Sequence, residues 1–253
     1  MAVDKPFLLI QLRPEDAAAN SEFEAMLRYG GLTEGEVVRA RVERTGLPRI
    51  ELADYSAIIV GGSPFDVSTP ENEKSAIQKQ IESDFMALFE RVVDVDFPLL
   101  GACSGNGLLG RFCGAPISTR YAEPVGGADI TLTEEGRQDP LLKGFPERFR
   151  VLLGHKEACD EVPPGTVLLA YSEACPVQMF RLRSNIYATQ FHPEGDPEGF
   201  VVRINTYKDY GYFPPETAEA LATALASEDT PVPKRMLARF VRRFRGATGR
   251  LSA

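Results

Sequence analysis

Apolar residues in this chain fall into short uninterrupted runs separated by helix-length stretches of mixed polarity. Phe7–Leu12 reads as a buried strand, and Ser21–Tyr29 as a helix stopped by Gly30-Gly31. Val37–Val42 alternates polar and apolar positions as a second strand. Tyr55–Val60, apolar apart from Ser56, is a third, ending at Gly61-Gly62. Thr69-Pro70-Glu71 carries the marks of a helix start: a capping hydroxyl, a proline suited to the first turn and an acid at the positive end. Ile77, Ile81, Phe85, Leu88 and Phe89 continue that helix at its own spacing. A fourth strand near Val95–Leu100 runs through Gly101–Gly105 into a short helix, Leu108–Cys113. Beyond it the pattern changes to shorter strands: Ala128–Thr133, Phe149–Leu153, Val167–Tyr171, Val177–Arg183 and Ile186–Phe191. From about Glu216 it is helical again, with a polar break at Ser227–Pro233.

Strands interleaved with helices predict an α/β fold, a parallel sheet covered on both faces. The crowded later strands either extend that sheet or form an antiparallel flap beside it. Neither a linker nor an internal repeat divides the chain, so residues 1–253 are expected to form a single domain with a C-terminal helical extension from about 216.

With 28 Lys and Arg against 36 Asp and Glu, the net charge is −8, which disfavours a reader of duplex DNA. One basic stretch, Lys234-Arg235 followed by Arg239, Arg242, Arg243 and Arg245, falls on one face of a terminal helix. Met236, Leu237, Phe240, Val241 and Phe244 take the other, so it reads as a solvated face and no nucleic-acid partner is expected. No apolar run is long enough to span a membrane, and the opening Met1–Pro6 with Phe7–Ile10 is too short for an export signal. Cys103, Cys113, Cys159 and Cys175 form no C-x-x-C pair. The expectation is a cytoplasmic chain with reduced thiols and neither metal nor cofactor.

Gly101-Ala102-Cys103-Ser104-Gly105, between an apolar strand and a helix, is the thiol counterpart of a nucleophile elbow. The cramped turn needs small neighbours. It lifts the sulfur above the sheet edge, at a helix N-terminus whose free N–H groups favour negative charge. The chain has two histidines. His192, in Gln190-Phe191-His192-Pro193-Glu194, directly follows an apolar strand. Extended backbone puts residues i and i+2 on one side, and Pro193 holds that geometry, so Glu194 can orient the imidazole. A base aligned by a carboxylate, together with an elbow thiol, is the pattern of nucleophilic acyl transfer. Cys113, Cys159 and Cys175 lack this setting and read as packing residues. Asp66 and Glu71 read as capping or surface acids. Tyr207, Tyr210 and Tyr212 with Phe213 are assigned to packing, with a pocket or partner surface as the other option.

These motifs resemble the class I glutamine amidotransferase family. The approach Ser172–Arg181, then Ala188–Glu194, is similar to that of stand-alone members related to the amidotransferase domain of GMP synthase. Ile58–Pro64 resembles the family's glycine-rich oxyanion loop, and the likeness runs from about Phe7 to Phe213. It implies a flavodoxin-like, mostly parallel sheet and a catalytic triad of Cys103, His192 and Glu194. The resemblance also implies oxyanion donors at the amides of Ser104 and of Ser63 or Gly62. His155, in Leu153-Gly154-His155-Lys156, is similar to a segment near the substrate's α-amino and carboxylate groups, and equally reads as a hydrogen-bonded structural histidine. Two departures stand out. Gly107 occupies the position, four after the nucleophile, where the family often has Gln, and Gly62-Ser63-Pro64 replaces the commoner Gly-Gly-Pro.

The implied reaction forms a γ-glutamyl thioester from glutamine, releases ammonia and hydrolyses to glutamate. A free thiol is only about 3% ionised at pH 7. Lowering its pKa by about two units raises the thiolate about 25-fold but costs about tenfold in nucleophilicity, a net 2- to 3-fold. Proton transfer by His192, worth about 10² to 10⁴, and each oxyanion donor, worth about 10² to 10³, matter more. No nucleotide-binding P-loop of the G-x-x-x-x-G-K-[S/T] form is present, so the acceptor chemistry is expected on a separate synthetase chain or is absent. Gly107 leaves room for a larger donor, which keeps a γ-glutamyl peptidase open as the alternative, beside a catalytically quiet binding module.

Overall fold

The computed structural model describes residues 5–246. Met1–Asp4 of the proposed opening, and the end of the chain after 246, lie outside them. In chain order the elements are strand β1 (Phe7–Gln11), helix α1 (Asp16–Gly30), β2 (Val37–Arg41), α2 (Val42–Thr45), β3 (Ile58–Val60), α3 (Ala76–Asp94), β4 (Leu99–Ala102) and α4 (Ser104–Phe112). Then come β5 (Ile117–Ser118), β6 (Glu123–Leu132), α5 (Glu134–Gln138), β7 (Arg148–His155), β8 (Ala158–Cys159), β9 (Thr166–Tyr171), β10 (Met179–Leu182) and β11 (Ile186–Thr189). Three helices close the chain: α6 (Pro197–Tyr207), α7 (Ala218–Leu225) and α8 (Pro231–Phe244).

Nine strands form one sheet in the order β2-β1-β3-β4-β11-β10-β9-β6-β7, and β5 pairs with β8 in a separate ribbon. The first five of that order are parallel, the flavodoxin-like arrangement. From β11 onward each neighbour is antiparallel. The second-half strands therefore extend the sheet.

Alternation along β1 shows why its apolar run is unbroken. Phe7 and Leu9 enter one core, Leu8 and Ile10 the other, and all four are buried. The first core is closed by α1 and α8, the second by α3 and α4. On α8 the residues Met236, Leu237, Phe240, Val241 and Phe244 pack against the sheet. Its cations are partly absorbed by the protein: Arg235 and Arg239 stack on Phe145, and Arg243 reaches Asn185. Among the described residues no helix is long and apolar enough to cross a membrane.

Three helix starts differ from expectation. Helix α1 begins at Asp16, because Ala17–Ala19 are strong helix formers and Asp16 puts an acid in the first turn. Helix α3 begins at Ala76, not Thr69. Pro70 O accepts from the amides of Glu73 and Lys74, making one turn that stops, and Ser75 Oγ then caps the helix by accepting from Gln78 N. Helix α4 starts at Ser104, directly after the elbow, rather than at Leu108.

Candidate active site

Register carries the candidate residues to one rim. Val60 pairs with Gly101, and Gly101 with Ala188, so β3, β4 and β11 end together. The segments that follow, Gly61–Ser63, Cys103 and Gln190–Glu194, leave from the same sheet edge. This is the C-terminal edge, where open α/β sheets place their ligand sites.

Cys103 has φ 51° and ψ −95°, a left-handed conformation that non-glycine residues rarely adopt. Its amide donates to Thr189 O at 2.8 Å, and its carbonyl accepts from Asn106 and Gly107 as α4 starts. Gly101 is required at this turn, since a Cβ there would lie 2.9 Å from the backbone carbon of Gly105. Cys103 is partly exposed and lines two adjoining cavities.

His192 is buried and lines the first of these with Cys103. Its backbone amide is anchored to Leu152 O, its ring edge meets the Phe200 ring, and Nδ1 lies 2.8 Å from Glu194 Oε1. Nδ1 thus carries the hydrogen, and Nε2 is left for proton transfer. Among the described residues Cys103 Sγ makes no hydrogen bond to the ring, and the two residues meet as neighbours in the lining of this cavity. Glu194 is fully buried, and Oε1 also accepts from Arg203 Nη2 at 2.7 Å. Burial alone raises this carboxyl; His192 and Arg203 outweigh it and hold Glu194 well below the usual carboxylate range. Burial, opposed by Glu194 and reinforced by Arg203, lowers His192, so the imidazole rests neutral and Arg203 is the cation facing Glu194.

Burial likewise pushes the Cys103 thiol up to about 12, against the attraction of Arg13 and Arg203. The resting pair is a neutral thiol and a neutral imidazole. The helix terminus alone does not make a standing thiolate here, so any attack by this sulfur needs a neighbouring base.

Ser63 and Ser104 face each other across the elbow. The Ser63 carbonyl accepts from Ser104 Oγ at 3.4 Å and Tyr212 Oη at 3.3 Å. Among the described residues neither the Ser63 nor the Ser104 amide has an acceptor, which leaves both for an oxyanion. Gly62 is different: its amide donates to Glu22 Oε1 at 3.1 Å and is not free for that role. Its contribution is space, since a Cβ there would lie 2.7 Å from His192 Cε1 and 2.4 Å from Arg13 Nη2.

His155 is buried with Nδ1 2.9 Å from Glu157 O and Nε2 3.0 Å from Glu123 Oε2. Both ring nitrogens are engaged within the protein. The ring also borders the second cavity. Its neighbours supply the polar groups there. Lys156 Nζ meets Asp66 Oδ2 at 2.5 Å, and Glu157 accepts from Val67 and Ser68 amides, both at 2.7 Å. Burial raises both acids, against Lys156 at Asp66 and against the Ser68 and Val67 hydrogen bonds at Glu157. Asp66 is thereby placed at the site rather than at a cap, whereas Glu71 is an exposed partner of Lys74.

Arg13, Glu22 and Arg203 were not read as site residues from the sequence. Glu22 is fully buried, accepts from Arg13 Nε at 2.9 Å and from Gln11 Nε2 at 2.9 Å, and so braces the Gly62 loop. Glu22, His192 and Glu194 cluster as metal ligands do, but Arg13 and Arg203 hold the two carboxylates. A cation there would meet two guanidiniums. The one available cue for Arg203 was Asp196-Pro197-Glu198, the N-terminal signature of α6, where Asp196 Oδ1 accepts from Gly199 N at 2.7 Å. Cys113, Cys159 and Cys175 are free thiols that line neither cavity, and Tyr207 and Tyr212 line the first.

An elbow thiol, an imidazole fixed by a buried carboxylate and two free amides at the rim of a doubly covered sheet define an arrangement suited to acyl-transfer chemistry. Residues 21–200 match the family model for glutamine amidotransferase class I, and the chain belongs to that family. One subunit of the glutamine-hydrolyzing GMP synthase of Pyrococcus abyssi is 30% identical over 169 residues, 66% of this chain and 79% of that protein. The corresponding GMP synthase chain of Thermococcus kodakarensis is likewise 30% identical over 169 residues, with the same 66% and 79% coverage. A solved glutamine amidotransferase from Thermotoga maritima shares the fold at TM-score 0.73 and 20% identity, over 95% of this chain and 98% of that one.

Proposed function

We propose that Cys103, His192 and Glu194 form the catalytic triad of a cysteine amidohydrolase that cleaves the side-chain amide of glutamine and releases ammonia for a synthetase on a separate chain. The observation that carries this reading is the strained Cys103 elbow facing one cavity with His192, whose other nitrogen is bonded to buried Glu194. Sγ attacks the γ-carbonyl carbon while His192 Nε2 takes the thiol proton. The amides of Ser63 and Ser104 receive the developing oxyanion. Imidazolium then donates that proton to the departing nitrogen, and the C–N bond breaks to leave a thioester. Water, deprotonated by His192, releases glutamate and restores the thiol. Glu194 stays ionised throughout and keeps the ring in one tautomer. The relationship to the glutamine-hydrolyzing GMP synthase chains supports glutamine as donor and a partner synthetase.

A glutamine-mimicking diazoketone should add once to the folded protein, at Cys103, as a mass increase absent from Cys103→Ala. Glutamine should yield ammonia with the same dependence. An unmodified folded protein that leaves glutamine intact favours a quiet binding module.

A further inference from the structure

The loop that follows β3 has few backbone bonds of its own. Gly61 N still donates to Ile10 O at 2.9 Å, and Glu22 Oε1 grips the Gly62 amide at 3.1 Å. Beyond them Pro64 has no N–H, and Phe65 N turns back to Ser63 Oγ at 2.8 Å. Among the described residues the Ser63 carbonyl accepts from no backbone amide. Two hydroxyls hold it instead, Ser104 Oγ at 3.4 Å and Tyr212 Oη at 3.3 Å. The peptide between Gly62 and Ser63, whose N–H is free for an oxyanion, is thus gripped upstream by Glu22 and downstream by these hydroxyls. Glycine at 62 leaves that peptide free to rotate unless both sides are held.

Tyr212 is itself fixed. It stands in the segment after α6, beyond the family-matched residues 21–200, and lines both cavities with Cys103 and Ser63. Gly211, at φ 79°, turns the chain just before it. Phe213 anchors one side of the segment in a cluster with Leu152, Phe200 and Ile204. Tyr210 Oη anchors the other by donating to Glu15 Oε1 at 2.6 Å. Lys156 Nζ lies 4.8 Å from the centre of the Tyr212 ring, and the Tyr207 ring centre lies 6.1 Å away. Burial, with Cys103 acting in the same direction, holds the Tyr212 phenol well above its ordinary value, so its oxygen keeps the proton and stays a donor.

We propose that Tyr212 is a positioning residue of the oxyanion site: its hydroxyl holds the Ser63 carbonyl and thereby aims the Ser63 amide at the developing oxyanion. This rests on the roles given above to Cys103, His192 and the Ser63 amide. Tyr212 acts through Ser63, so removing its hydroxyl weakens an interaction made in the transition state and leaves glutamine binding intact.

The test is Tyr212→Phe in the full-length chain, which keeps the ring and its packing and removes only the hydroxyl. With glutamine as substrate, kcat should fall about tenfold, a part of the 10² to 10³ that one oxyanion donor is worth, while KM stays within about twofold. Iodoacetamide reacts by displacement of iodide and forms no oxyanion. Its rate of alkylation at Cys103, read by mass on that peptide, should therefore match wild type. Tyr212→Met, also without a hydroxyl, takes the place of Tyr212→Phe if the latter does not fold. Unchanged kcat in the folded variant, a loss carried by KM, or an equal loss in alkylation overturns the positioning role and leaves the triad standing. Wild-type protein that leaves glutamine intact and takes no diazoketone on Cys103 overturns both.

Discussion

His192 and Arg203 donate to the same oxygen of Glu194, at 2.8 and 2.7 Å. One buried carboxylate therefore serves two partners, and each sets the other's electrostatics. Burial and Arg203 lower His192, and Glu194 opposes them. The active form has a neutral imidazole, so kcat/KM should rise with pH through a limb below the ordinary histidine value of about 6.5 and then level off. Glu194→Gln removes the anion, so the limb should move to lower pH, with a loss of about 10² to 10⁴ in rate. Arg203→Gln removes the cation, so the limb should move to higher pH. Profiles of both variants that shift in the same direction exclude this coupling.

The strain at Cys103 makes a separate prediction. A non-glycine residue at φ 51°, ψ −95° costs about 1–3 kcal/mol, and glycine avoids that cost. Cys103→Gly and Cys103→Ala should both be inactive. Thermal unfolding should nevertheless show the glycine variant to be the more stable by about 1 kcal/mol, despite glycine's larger entropy loss. An alanine variant of equal or greater stability means the elbow is relaxed.

Gly62 separates catalysis from folding. A Cβ there meets His192 Cε1 and Arg13 Nη2, and neither can swing away, because Glu194 and Glu22 fix them. Gly62→Ala should displace the imidazole by a few tenths of an ångström and lower kcat by about 10²-fold, the cost of misplacing a catalytic group. Overpacking adds about 1–3 kcal/mol of destabilisation, read in the unfolding midpoint. Normal kcat in Gly62→Ala means that the ring has room to move.

Elements buried on both faces were the most legible. Ile58–Val60 is apolar throughout because helices cover both sides, and Gly61 marks its end, whereas the fourth strand, expected near Val95–Leu100, begins only at Leu99 because Val95 still caps α3 and the chain turns at Asp96. Cys103, His192 and Glu194 were legible because their local settings are unusual. Arg13, Glu22 and Arg203 were not, because a buried ion pair looks like two surface charges until the fold brings them together. The same local cue also misled once. Thr69-Pro70-Glu71 and Asp196-Pro197-Glu198 read alike, yet only Asp196 accepts a bond from the amide three residues on. Whether such a turn continues depends on what its next face buries, which local sequence does not state. His155 shows the same limit of local reading: Glu123, 32 residues earlier, lies against its second nitrogen.

Helix α4 carries two glycines whose replacement should act in opposite directions. At Gly107 a Cβ would have Glu157 Oε1 at 3.4 Å and Val67 Cγ2 at 3.7 Å, ordinary contact distances. Alanine there should gain helix propensity, up to about 1 kcal/mol, and raise the unfolding temperature. At Gly110 a Cβ would lie 2.4 Å from Cys159 Sγ, a fully buried atom with no free direction, and Ile117 Cδ1 closes in at 3.4 Å. Gly110→Ala should therefore destabilise by about 1–3 kcal/mol despite the same gain in propensity. Gly107→Ala should also keep its activity, because a methyl group removes little of the cavity beside Cys103. Loss of activity there, in a protein of unchanged or higher stability, would mean that the acyl group needs the space down to the Gly107 backbone. That outcome would explain why this chain has no side chain where its family often has glutamine.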